Sequence, residues 1–136
     1  MNNPHAFWPE LPTAAWRDSY ATLHLWTQVI GKIRLVRSPW LNHSWHVALY
    51  VSARGLTTSP IPDGNRTFQI DLDFIDHALR ITTSDGAQRQ FALPGHSVAS
   101  FYAGVIAALA DLGIDVAIDE TPNELPDPIR FSQDSR

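Results

Sequence analysis

Cysteine is absent from all 136 residues, which rules out a disulfide framework, a thiolate metal site and a cysteine nucleophile. A reducing, cytoplasmic setting is therefore expected. No stretch reaches about eighteen consecutive apolar residues, and Met1 to Pro12 lacks a basic run followed by an apolar core, so neither membrane spanning nor export is expected. Without secretion, the sequons at Asn42 and Asn65 carry no weight. Positive charge is not in excess either: the formal net charge of −4 argues against a nucleic-acid partner, which calls for a basic face. The phosphate-cradling patterns G-x-G-x-x-G and G-x-x-x-x-G-K-[ST] are missing, as is the serine elbow G-x-S-x-G. There is no internal repeat.

What is present suffices for a core, with 44% hydrophobic and 18% charged residues. One domain is expected over 1–136, flanked by proline-rich extended termini at 1–12 and 121–136. From Thr13 to about Val36 the chain has no proline, and Leu23, Trp26, Val29, Ile30 and Ile33 gather on one side of a helix. Val47, Leu49 and Val51 alternate with His46, Ala48, Tyr50 and Ser52 as in a strand, and a short extended piece follows at Leu56 to Ser59. Pro60 to Asn65 is a dense turn signal and is read as a loop. Phe68, Ile70, Leu72 and Phe74 alternate with Gln69, Asp71 and Asp73, a strand whose acidic side is expected to face water or a ligand. A corner at Asp76-His77 and an Asp85-Gly86 turn then fold the chain into a meander. Ser97 caps a second helix marked by Val98, Phe101, Tyr102, Val105, Leu109 and Leu112, which Gly113 ends. Ile114, Val116 and Ile118 predict a final strand, and the tail is expected to pack through Ile129 and Phe131. The fold class is thus α+β: a mostly antiparallel sheet of five to six strands, with a long N-terminal helix and a second helix near the C-terminus on one face.

Three arrangements could carry chemistry. Arg17, His24 and Gln28 fall within an arc of about 40° on the polar side of the first helix. Strand alternation groups His46, Tyr50, Ser52 and Arg54, and the hydroxyls of Thr57, Thr58 and Ser59 follow Arg54-Gly55, a combination suited to a carboxylate or phosphate. His43 and His46, in Asn42-His43-Ser44-Trp45-His46, have metal-ligand spacing only if His43 reaches in from a loop and a third ligand such as His24 or His77 joins them. The plainer alternative has these histidines bonded to loop backbone while Trp40 and Trp45 fill the core. Asp71, Asp73 and Asp76 form an acid–base pair only if one is shielded from water.

In Trp8-Pro9-Glu10-Leu11-Pro12, Thr22 to Gln28 (TLHLWTQ), Asn42 to Val47 (NHSWHV), Ala53 to Ser59 (ARGLTTS) and Asp73 to His77 (DFIDH), the chain resembles a bacterial family known only as a domain of unknown function. Ser44 stands where that family often has an aromatic residue. The resemblance implies no activity; it places His24, Gln28, Asn42, His43, His46 and Arg54 inside the family's recognisable segments, which favours a shared pocket.

Together these features predict a domain that binds a small, anionic ligand between the first helix and the sheet. Its site is expected to use Arg17, His24, Gln28, Asn42, His43, His46, Tyr50, Arg54, Thr57 and Thr58, with no metal and no cofactor. A metal-dependent enzyme using His43 and His46 to activate water, and a structural or interaction module built on the five tryptophans, are the alternatives.

Overall fold

The computed structural model describes residues 12–37, 49–123 and 125–136. Helix α1 (Thr13–Arg37) is followed by strands β1 (Tyr50–Val51), β2 (Gly55–Thr57), β3 (Ile61–Asp63), β4 (Arg66–Asp73), β5 (Ala78–Thr83) and β6 (Gln88–Ala92), then helix α2 (Val98–Asp111) and a 3₁₀ turn (Phe131–Gln133). The six strands form one antiparallel sheet in the order β1-β2-β4-β5-β6, with β3 on β4 beyond β2. The α+β architecture expected from the sequence is the one observed.

The alternation of β4 sets which side of the sheet becomes core. Phe68, Ile70 and Leu72 face the helices, opposite Thr83, Ile81 and Leu79 of β5. Leu25, Val29, Ile30 and Ile33 of α1, and Val98, Phe101, Val105 and Leu109 of α2, fill the other side of that core. Trp26 stacks on Phe101 with ring centroids 4.7 Å apart. Each such fully buried side chain contributes roughly 1.5–3 kcal/mol. The Ser97 hydroxyl accepts from the Ser100 amide, 3.1 Å away, as the expected cap of α2.

Where a loop was expected, Ile61–Asp63 pairs with β4 as a short strand; β2 and β3 thus share one edge of β4, and the chain between them must break step. Ser59 takes a left-handed φ of 59° just before Pro60, and Thr58 bridges the gap: its amide donates to the Ile70 carbonyl (3.0 Å) while its hydroxyl accepts from the Ile70 amide (3.0 Å). The irregularity therefore sits at Thr58 to Pro60, where hydroxyls replace a missing rung.

The final strand expected at Ile114, Val116 and Ile118 is not formed. Residues 114–120 run beside α1, whose long cations take the carbonyls a neighbouring strand would have taken: Arg37 Nη2 donates to Asp115 O, and Lys32 Nζ to Thr121 O. The same polar side of α1 holds the tail further on. Gln28 donates from Nε2 to Asn123 O (3.1 Å) and accepts at Oε1 from Asn123 N (2.8 Å), which imitates a strand pair. Phe131 is fully buried, whereas Ile129 remains exposed. The tail then returns to the start of α2, where Val98 N donates to Arg136 O (2.7 Å) and Ala99 N to Asp134 O (2.8 Å).

Candidate functional site

The expected row His46, Tyr50, Ser52, Arg54 does not persist as a strand face, because β1 ends at Val51 and the chain turns. Ser52 N donates to Gly55 O (2.9 Å), and the Ser52 hydroxyl accepts from Gly55 N (3.0 Å). Gly55 then lies against β4 so closely that a Cβ there would overlap the Leu72 carbonyl oxygen. This close approach delivers Arg54 onto the face of the sheet that neither described helix covers, beside the β4–β5 corner.

At that corner two guanidiniums meet two carboxylates. Asp73 is 2% exposed, so at this residue the acidic side does not face water. Its Oδ1 accepts from the amides of Ile75 and Asp76 (2.9 Å each), which shapes the 74–77 turn. Its Oδ2 accepts from Arg54 Nε (2.6 Å) and Arg80 Nη1. The Arg54 hydrogen bond leads the causes that hold the Asp73 carboxyl well below the usual carboxylate range, joined by the Asp76 amide, Arg80 and the Ile75 amide against the opposing effect of burial. Asp76, half exposed, receives Arg80 Nη2 (2.7 Å) and Arg54 Nη2 (3.0 Å) on a single oxygen, Oδ2. Both arginines are shifted upward in turn, each chiefly through its hydrogen bond to Asp73.

A shallow groove of about 450 Å³ opens beside this quartet, lined by Asp76, His77, Ala78, Arg80, Gln90, Phe91 and Ala92. Its volume falls within the range of small-molecule sites, roughly 300–1,000 Å³. Gln90 Oε1 accepts from Arg80 Nε (3.1 Å) and orients the guanidinium from the β6 side. His77, at the rim, has a left-handed φ of 52°, uncommon for a residue with a Cβ. Arg80, Asp76, His77 and Gln90 were absent from the site residues expected from sequence. The opposite charges placed about the 74–77 corner are the signal that could have found Arg80, since an antiparallel hairpin brings Asp73 and Arg80 to neighbouring rungs of one face.

The remaining expected residues lie elsewhere. His24 and Gln28 touch through their Nε2 atoms (3.1 Å), and His24 stacks on Tyr20 with centroids 6.3 Å apart. Because Asn123 fixes which end of the Gln28 amide is oxygen, the amide donates to His24, which must accept at Nε2 and carry its proton on Nδ1. Arg17 is exposed on the same helix. Tyr50 lies 5.4 Å under the Arg34 guanidinium, and Arg34 Nε donates to the Thr58 carbonyl (2.9 Å). Thr57 and Thr58 use their hydroxyls on the Ser59 amide and the Ser59 carbonyl. Asn42, His43 and His46 lie outside the described residues. Among the described residues no three His, Cys, Asp or Glu side chains gather as a metal set. His24, in α1, and His77, in the β4–β5 turn, belong to different parts of the fold.

A family model described as "Family of unknown function (DUF5996)" matches residues 8–136. The chain belongs to the DUF5996 family. No curated protein and no solved structure matches it. Within this DUF5996 chain, Ala53 to Ser59 and Asp73 to His77 meet in space, since Phe74 N donates to Arg54 O (2.8 Å) and Arg54 pairs with Asp73 and Asp76. Among the described residues no helix is long and apolar enough to cross a membrane.

Proposed function

We propose that this domain binds a small anionic molecule at the Arg54–Arg80 corner, with the groove along β5 and β6 receiving the rest of the ligand. This keeps Arg54 from the sequence expectation and moves the remainder of the site from the helix to the sheet face that neither described helix covers. The observation that carries the reading is the convergence of two guanidiniums on one half-exposed carboxylate oxygen at the lip of a groove. Arginine pairs of this kind recognise carboxylates through two charge-assisted bonds. The lack of cysteine supports a cytoplasmic setting for it.

Benzoate, titrated into the protein and followed by the amide signals of Arg80, Gln90, Phe91 and Ala92, is expected to give saturable shifts. Benzyl alcohol is expected to give none, and Arg54→Gln to weaken the benzoate response. Absence of saturable shifts with benzoate would sink the reading. A second reading, a protein-interaction module, is favoured by the exposure of Phe74 and Ile75 in the turn at the same corner.

A further inference from the structure

Asp76 and Asp73 do different work in the quartet. Asp73 is buried, holds the 74–77 turn through two amides, and neutralises one of the two positive charges. Asp76 hangs from that turn with its side chain 53% exposed, bonds both Nη2 atoms through Oδ2, and lines the groove. Its carboxylate neutralises the second positive charge and stands where an incoming anion would be held. Arg80 stays fixed without it, through Asp73 and Gln90, and Arg54 through Asp73.

Resting on the anion-binding reading above, we infer that Asp76 is a tethered stand-in for the ligand, and that the ligand is a monocarboxylate with a compact apolar group that displaces it. One charge remains after Asp73 is counted, which matches a monoanion better than a dianion. Ala78 and Ala92 give the apolar body a surface, and Gln90 and His77 supply polar atoms at the rim, while the Phe91 ring turns to the helix side against Phe101. A tethered competitor lowers apparent affinity by the fraction of molecules in which the seat is free. Displacement moves the Asp76 side chain outward and breaks its bonds to Arg54 and Arg80 on the hairpin and on β5.

The deciding experiment is benzoate titration of the wild type and Asp76→Asn, with Asp76→Ser as a second variant, each first checked for a native amide spectrum. Both variants keep the backbone amide that Asp73 holds and remove the competing charge. The expected result is binding roughly tenfold tighter in both variants, the size of one charge-assisted bond relieved of competition. In the wild type, benzoate should also shift the Asp76 side-chain carboxyl carbon signal. Equal or weaker binding in the variants, with saturable wild-type binding intact, overturns the stand-in role and leaves the anion site standing. Loss of binding in the wild type and the variants alike overturns both.

Discussion

Gly55 has no room for a side chain, because a Cβ would overlap the Leu72 carbonyl and crowd the Phe74 ring at 3.1 Å. Gly55→Ala must therefore push β2 off β4, and Arg54 with it. A loss of roughly 1–3 kcal/mol is expected in denaturant unfolding, together with altered benzoate response. Unchanged stability would mean that the strands are not so close. On α1, the shared amide of Gln28 fixes the neutral His24 as the Nδ1–H tautomer, which ring ¹⁵N shifts read directly; an Nε2–H signal would contradict the bond pattern. Gln28→Ala removes the acceptor of the Asn123 amide, whose hydrogen exchange should accelerate while global stability falls by only about 1 kcal/mol.

Elements whose order follows from local pattern were readable from the chain, and those ordered by distant partners were not. Phe68 to Leu72 alternates because one face of β4 is core, so its period is written locally. The α1 apolar side and the Ser97 cap are equally local. Ile114, Val116 and Ile118 have the same alternation as a strand, yet Lys32 and Arg37, about eighty residues earlier in sequence, claim the carbonyls nearby. The candidate site shows the same division. Asp73, Asp76 and Arg80 are grouped by the local β4–β5 hairpin, whereas the arrival of Arg54 among them depends on β2 lying against β4, which no spacing in the sequence announces. The β6 edge, which no described strand pairs, offers a further test. Thr83 N to Ala87 O and Leu93 N to His77 O set the bonding phase, which turns the backbone groups of Gln88, Gln90 and Ala92 outward from β6. Arg89 bends back so that its Nη1 takes the outward Gln88 carbonyl at 2.8 Å. A charge that occupies an edge acceptor discourages strand addition. Arg89→Thr should therefore raise the average mass in light scattering at high concentration, and a mass equal to that of the wild type would refute the guarding role.

Across the molecule, Asp73, Asp85, Glu120 and Asp134 are each held down first by a side-chain hydrogen bond, from Arg54, Thr83, Ser132 and Arg136 respectively, and Asp119 by the Thr121 amide. Groups lowered in the folded state contribute fully above their unfolded values, near pH 4, and lose that contribution as pH falls toward the folded ones. Melting temperature should hold steady above about pH 5 and drop below about pH 4. The drop should be shallower in Asp73→Asn, whose melting temperature near neutrality is already lower; an identical acid slope would remove Asp73 from the account. The path of the tail has a consequence for the order of assembly on the ribosome. The amides of Val98 and Ala99 take their acceptors from Arg136 and Asp134, so the first turn of α2 waits for residues made long after it. At about 5–20 residues per second, thirty-seven residues occupy roughly two to seven seconds of elongation. Through that interval the β4–β5–β6 meander is already complete in sequence, while α2 lacks its last acceptors and the core lacks Phe131. Closure at the start of α2 thus trails the sheet, and a pause or truncation ahead of Phe131 would leave a nascent chain with its sheet and both helices made but the place of Phe131 in the core unfilled.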